Sequence, residues 1–495
     1  MPAPSPARVR YAPSPTGRHH IGGVRTALYD YLWARQTGGQ FILRIEDSDV
    51  KRIVPGAEEE IRESLRWLGL QWDEGPDVGG PVGPYRQSER TAIYADHTRR
   101  LLDQAAAYLC FCSPERLAQM RLDQQKRKEP PRYDGLCRRL SPQEAQQRAD
   151  RGEPHVVRFR TPREGTTTAV DLLRGPITVD NATIDDYVLL RSDGQPVYHL
   201  AAMVDDHLMG ITHVMRSSEW LPTFPLHVLV VRALGWDEPV WVHLSVFLNP
   251  TGKGKMSKRQ AVDTKGGAKS IYALDLRDLG YLPEAVVNWL ALMGWSYDDR
   301  SELFSLDDLV AKFSLEKLNP SPAAVNFTKL DHFNGIYTRG LSNEDLAGRM
   351  LPFFQQAGLP ADRATLIRLA PILRERVRTL EESVEIAGFF FRTDVEPPQE
   401  ALTGRGMTPQ ASRGALQAAL ARIEAAPSLD PKSLEPPLRS LADELGLEAG
   451  QLFGLLRIAV TGQPVSPPLF ETMDIVGRET VLRRVRKAAE RLANQ

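Results

Sequence analysis

The amino-acid sequence predicts a mixed architecture: an α/β nucleotide-binding fold built on parallel strands, interrupted by an α+β insertion and followed by an all-helical second half. Three observations predict it. A short strand over Val9 to Ala12, a helix from about Gly22 to Arg35 and a strand over Phe41 to Ile45 make a βαβ unit, whose strands run parallel with a right-handed crossover. From Tyr85 to Val197 helical and β-rich pieces alternate before the strand pattern returns at Ile211 to Met215. After about Lys265 the apolar period turns helical and stays so.

Each element has a local reason. In the first helix Val24, Ala27, Leu28, Tyr31 and Leu32 recur at helical spacing, and Gly38-Gly39 stops it. Ligands of such folds sit beyond the carboxyl ends of the strands, and Arg10, Ser14, His20 and Glu46 all fall there. Within the insertion, Ala92 to Ala107 reads as helix, His155 to Arg160 as strand, and Tyr187 to Tyr198 as a hairpin turning at Ser192-Asp193-Gly194. The second half of the nucleotide fold continues with a helix over Pro222 to Ala233 and the run Trp241 to Leu248. Leu279 to Trp295 is a long apolar-periodic stretch. Pro397-Pro398, Gly404, Gly406 and Pro409 mark a linker over 392–410 between two helical modules. The expected segments are 1–85, 86–198, 199–262, 263–335, 336–391 and 392–495.

Bulk properties narrow the class. A chain of 495 residues holds three or four domains. No run of about 20 apolar residues occurs and the first residues lack an apolar signal core, so neither a membrane span nor export is expected, and a cytoplasmic chain is. Separately, the chain is expected to act as a monomer. Three cysteines are too few for a disulfide framework and fit a reducing compartment. With 62 Lys plus Arg against 63 Asp plus Glu, any contact to RNA must come from local clusters: Lys126-Arg127-Lys128, Arg138-Arg139, and Arg483-Arg484 with Arg486-Lys487.

Two segments carry the chemistry. Residues 12–23, Ala-Pro-Ser-Pro-Thr-Gly-Arg-His-His-Ile-Gly-Gly, place His20 and Gly22 at a helix N-terminus. Free backbone N–H groups and the helix dipole favour phosphate there, glycine permits close approach, and an imidazole can donate to a phosphate oxygen. The second segment, Gly252 to Arg259 with Lys255-Met256-Ser257-Lys258-Arg259, gathers cations that can close over the β- and γ-phosphates as charge moves onto departing pyrophosphate.

In this order and with this separation, the pair resembles the two signatures of class I aminoacyl-tRNA synthetases, with Gly23 where the first more often ends in His. Residues 10–26, Phe41 to Asp47, Gly83 to Arg90 and Val204 to Thr212 narrow the resemblance to bacterial-type glutamyl-tRNA synthetases over nearly the whole chain. The resemblance implies a Rossmann-type catalytic sheet, an inserted domain that grips the tRNA acceptor end, and an all-α anticodon-binding region. It implies His20, Lys255 and Lys258 as catalytic residues, and an ATP site of Pro13, Ser14, Thr16, Gly17, His20, Gly22, Gly23, Glu219, Lys255, Met256, Ser257, Lys258 and Arg259. Mg²⁺ held largely by phosphates and water accompanies ATP. The partners implied are L-glutamate, ATP and tRNA(Glu).

The reaction implied joins glutamate to ATP as glutamyl-adenylate, then transfers glutamate to the terminal ribose of tRNA. A pocket for glutamate needs cationic or hydrogen-bonding groups for its carboxylates and an acid for its ammonium. Arg10, Tyr198 and Arg216 meet the first need and Glu46 the second, with Ala12 and Ser14 beside them. The structural alternatives are that Arg10 pairs with a nearby acid, that Tyr198 packs in a hairpin, and that Glu46-Asp47 caps a turn. Ser217-Ser218 and Ala202 depart from the family pattern near the pocket. Cys110-x-Cys112 and Cys137 resemble a zinc knob found in some members; zinc wants four ligands, and the fourth position holds Arg139, which cannot serve, so reduced thiols are expected, with His155 a distant substitute. Rival readings are a small-molecule nucleotidyltransferase, an inactive RNA-binding paralogue, and the truncated relative that glutamylates a tRNA base. Whether the chain also charges tRNA(Gln) stays open at this level.

Overall fold

A computed structural model describes residues 5–256, 262–264 and 267–494. Strand β1 (Arg8–Tyr11) runs parallel to β2 (Gln40–Leu43), with α1 (Ile21–Thr37) between them, as the βαβ reading requires. Helix α1 ends at Gly38, whose φ of +66° is the left-handed cap conformation that glycine adopts without a Cβ penalty. Its buried face is Ile21, Val24, Ala27, Leu28 and Leu32, and the tyrosine buried with them is Tyr29 rather than Tyr31. Helices α2 (Ala57–Trp67) and α3 (Thr91–Asp103) follow, then β3 (Ala107–Cys110), α4 (Pro114–Lys126), α5 (Pro142–Asp150) and β4 (Val156–Phe159).

Strands β5 (Thr166–Asp171) and β6 (Gly175–Asp180) form a hairpin, and β7 (Val188–Leu190) completes an antiparallel sheet of order β3-β4-β7. The hairpin expected up to Tyr198 is shorter: the return strand is a single bridge from Leu190 to Pro196. Proline has no N–H to extend a ladder, and Tyr198 instead opens helix α6 (Tyr198–Leu208). Strand β8 (His213–Ser217), helix α7 (Phe224–Ala233) and strand β9 (Val240–Leu244) complete the second half. β8 and β9 are parallel, and β5 joins β9 through the Asp171–Trp241 pair, giving the order β6-β5-β9-β8. The Thr212 N–H donates to Arg8 O at 2.8 Å, so β8 starts beside β1.

The chain divides into two compact units, one of residues 1–276 and 286–327, the other of residues 277–285 and 328–495. The periodic stretch from Leu279 to Trp295 is broken at Gly280, whose φ is +81° and where a Cβ would collide with the backbone of Leu380; helices Ala273–Asp278 and Pro283–Ala291 flank the break. The second unit is helical, and a core containing Leu416, Leu438, Leu456, Met473 and Val485 sits in its C-terminal half. Among the described residues no helix is long and apolar enough to cross a membrane.

Candidate active site

The ends of β1 and β2 are held together beyond the strands. Arg44 N–H donates to Tyr11 O at 3.0 Å and Glu46 N–H to Pro13 O at 2.9 Å, which lays Ala12 to Ser14 alongside Glu46. His20 is the N-cap of α1, and its Nδ1 accepts the Gly22 N–H at 2.9 Å. That bond fixes a neutral ring's proton on Nε2, making the far side of the imidazole a donor. The N–H groups expected to be free at this helix start are engaged: Ile21 donates to Ile271 O, Gly22 to His20 and Gly23 to His20 O. What remains for phosphate is the dipole and the His20 ring. Gly23 is a glycine for packing, since a Cβ there would run into the Tyr11 hydroxyl.

A cavity of about 650 Å³ opens at this helix start. Pro13, Ser14, Thr16, Gly17, His20, Gly22 and Gly23 line it, and so do Glu219, Lys255 and Met256. Lys255 pairs with Glu219, both about half exposed, so the pair can open to a ligand at little cost. Ser257, Lys258 and Arg259 lie outside the described residues. Sequence reasoning passed over Arg25, which is buried, donates to Met293 O and Ser245 O, and stacks over Phe247 to hold the wall from Ser245 to Phe247.

Beside this cavity lies a buried charge network. Arg10 donates from Nε and Nη2 to the two Asp206 oxygens at 2.8 and 3.2 Å, and from Nη1 to Met215 O at 3.1 Å. Arg44 donates to Asp206 at 2.7 Å and to Glu46 at 3.1 Å. Asp205 accepts from Arg90, Tyr94 and Gln87. Burial works against the charge of Arg10 and of Arg44, but Asp206 outweighs it and both guanidinium groups are held above their ordinary value. Burial raises Glu46, against Arg44 and Arg10. Burial, helped by Glu46, raises the Tyr198 hydroxyl against the charges of Arg216 and Arg10. Arg216 lies on β8, buried, with Nη1 donating to the Tyr198 hydroxyl at 3.4 Å. Ala202 is fully buried and presents no polar group to the pocket.

Two other expectations meet specific surroundings. The sulfurs of Cys110, Cys112 and Cys137 lie within 4.8 Å of one another. Arg139 is exposed and His155 bonds Glu153 O, whereas the Tyr133 hydroxyl sits 3.5 Å from Cys110 Sγ and 3.4 Å from Cys112 Sγ. A hydrogen bond from the Cys137 thiol favours the Cys110 thiolate against the effect of burial. In the basic cluster near the C-terminus one side chain of the four is internal. Arg484 is buried and donates to Val460, Phe389 and Arg392 carbonyls, Arg483 and Lys487 pair with Asp394, and Arg486 pairs with Glu424.

A parallel-stranded fold in which a His-x-Gly helix start and a lysine-bearing segment line one cavity defines a class I tRNA synthetase. The family model described as tRNA synthetases class I (E and Q), catalytic domain, matches residues 6–332, and an anticodon binding domain model matches residues 345–489. The chain is 47% identical over 495 residues to a glutamate--tRNA ligase of Dehalococcoides mccartyi, covering 98% of both. It is 46% identical to that of Chloroflexus aurantiacus, with 99% and 98% covered. The crystal structure of a glutamate tRNA ligase from Elizabethkingia meningosepticum in complex with its amino acid matches with a TM-score of 0.86 at 36% identity, covering 98% of this chain and 99% of that one. The chain belongs to the glutamate--tRNA ligases.

Proposed function

We propose that the cavity at the start of α1 binds ATP and that Arg10, Glu46, Tyr198 and Arg216, with Ala12 and Ser14, surround glutamate at the ends of the same strands. The observation that supports this reading is the shared frame: the Glu46 N–H to Pro13 O bond ties the amino-acid side of the site to the loop that lines the nucleotide cavity. The α-carboxylate of glutamate attacks the α-phosphorus, the bond to the β-phosphate breaks, and pyrophosphate leaves. The terminal ribose hydroxyl of tRNA(Glu) then attacks the adenylate carbonyl and AMP leaves. Neither step needs a nucleophile from the protein, so positioning and charge do the work. His20 donates from Nε2 to phosphate, and Lys255 leaves Glu219 for the departing pyrophosphate, joined by Lys258 on the sequence argument. Glu219 is the one carboxylate among the described lining residues, which suits Mg²⁺ held mainly by phosphates and water. That ion would neutralise phosphate charge.

The three cysteines and Tyr133 supply three sulfurs and one oxygen, a donor set that fits a structural zinc. Residues 86–198 are assigned to the acceptor end, 263–335 to the connection and 336–495 to the anticodon arm. Pyrophosphate exchange and charging with purified tRNA(Glu) and tRNA(Gln) test the reading. Glutamate and tRNA(Glu) should support both assays. Lys258→Ala should slow adenylate formation by about a hundred- to a thousand-fold while glutamate binding is kept; an unchanged single-turnover rate refutes that assignment.

A further inference from the structure

Arg10 and Arg216 are both buried arginines at the amino-acid site, but they are held in opposite ways. Arg10 faces a carboxylate with which it forms a bidentate pair. Arg216, only 5% exposed, forms no ion pair among the described residues. Its Nε donates to His243 Nε2 at 3.0 Å, its Nη2 to His227 Nδ1 at 2.9 Å, and its Nη1 to the Tyr198 hydroxyl. Its guanidinium also lies over the Trp241 ring, 4.9 Å from the centroid.

The histidines are themselves anchored. His243 is the register partner of Arg216 across β8 and β9, and its Nδ1 and backbone N–H both meet Asp171 Oδ2, at 2.8 and 2.9 Å. His227 comes from α7, and its Nε2 is 2.9 Å from His199 Nδ1 on α6. Guanidinium nitrogens only donate, so the ring atoms they meet must be unprotonated acceptors. This fixes both tautomers: His243 carries its proton on Nδ1, toward Asp171, and His227 on Nε2, toward His199. Burial first, then the Arg216 charge, pushes His227 well down; burial also lowers His243 despite its bond to Asp171, so both rings are neutral at physiological pH.

We propose that His243 and His227 are positioning residues for amino-acid recognition, neutral acceptors that fix the Arg216 guanidinium while leaving its positive charge uncompensated for the side-chain carboxylate of the substrate. A carboxylate in either place would orient the guanidinium equally well and cancel its charge, and the preference for glutamate over uncharged glutamine would fall with it. With three of its five N–H groups engaged, Arg216 keeps one N–H on each terminal nitrogen, the pair that a bidentate carboxylate takes. The inference rests on the reading that Arg216 receives the substrate carboxylate.

Steady-state aminoacylation by the full chain, with glutamate and ATP varied separately, tests both levels. Arg216→Gln should raise the glutamate KM at least a hundredfold; an unchanged KM overturns the carboxylate reading and this proposal with it. Given that loss, His243→Phe should raise the glutamate KM at least tenfold, leave the ATP KM within twofold and cut glutamate-over-glutamine discrimination about tenfold. His243→Gln, whose amide oxygen can accept from Nε, should recover most of each. An unaltered glutamate KM, equal damage to both KM values, or a Gln variant as impaired as the Phe variant overturns the proposal. If His243→Phe does not fold, His227→Leu and His227→Asn decide on the same criteria. In the unmodified chain, imidazole ¹⁵N spectra should show a ring protonated on Nδ1 and bare on Nε2 that vanishes in His243→Gln; the opposite tautomer refutes the proposal without any folding question.

Discussion

Replacing Arg10 with Gln damages two things at once, and their sizes can be worked out from the buried network. Arg10 makes two charge-assisted bonds to Asp206 and a third bond to Met215 O; an amide can keep at most one of them. Breaking a buried pair costs about 3–5 kcal/mol, largely because an uncompensated charge stays behind. Asp206 retains Arg44 at 2.7 Å, so its charge is not orphaned and the low end, about 3 kcal/mol, applies. At roughly 2–4 °C per kcal/mol for a domain of a few hundred residues, the catalytic unit should melt about 6–12 °C lower. The glutamate KM should rise about tenfold, equivalent to about 1.4 kcal/mol, because the Arg10 charge also reaches Tyr198 and Glu46. Calorimetry of the intact chain and steady-state charging at a temperature well below both transitions separate the effects. An unchanged Tm would refute the network as described. A lowered Tm with an unchanged glutamate KM would leave Arg10 a purely structural residue.

Three further outcomes are expected. Burial, then the Arg216 charge, holds His199 down to about 4 in the folded chain, against about 6.5 unfolded, so the unfolded state binds more protons in that window. Stability should be unaffected above about pH 6.5 and fall as pH drops toward 4, by roughly 3 kcal/mol from this group, with His227 and His243 adding in the same direction; urea melts at pH 7.5 and 5 measure it, and equal stability at the two pH values contradicts the buried neutral imidazoles. Metal analysis of the full chain should find about one zinc, reduced severalfold in Tyr133→Phe and lost in Cys137→Ser; a metal-free protein after growth with zinc removes the site. Arg484→Leu strands three carbonyls and should destabilise the helical unit by about 3 kcal/mol or more, while the slope of tRNA affinity against salt stays the same; a shallower slope would restore Arg484 as a phosphate contact.

The βαβ unit, its glycine stop and the His-x-Gly helix start were legible because each depends on residues close in sequence. The partners of the polar residues were not. Arg10 meets Asp206, which lies 196 positions further on, and no local pattern joins them. His227 and His243 stand singly in apolar runs, where a histidine carries no periodic signal, so only the pairing of β8 with β9 and the packing of α7 bring them to Arg216. Tyr133 stands four residues before Cys137, but a phenol oxygen lies outside the nitrogen and sulfur donors by which a zinc motif is read in sequence. Arg484 belongs to the interior, which a count of charges does not show: Val481, Arg484, Val485 and Ala488 share one helix face, and that face is buried.

The stretch 277–285 changes how the molecule can be dissected. These nine residues lie between two segments of the catalytic unit in sequence, yet their bonds go to the helical one: Leu380 N–H to Gly280 O, Leu282 N–H to Asn334, and Arg349 to Glu284. A stop codon near Arg339 therefore does not release an intact catalytic half. It keeps Asp331 beside Tyr281 and Asn334 beside Leu282, but removes Leu380 from Gly280 and Arg349 from Glu284, and so uncovers part of a strip that is buried in the full chain. A soluble catalytic fragment calls for an internal replacement of 277–285 by a short polar bridge as well as a C-terminal cut, and insolubility of the simple truncation would reflect that strip, with no bearing on whether the helices bind RNA.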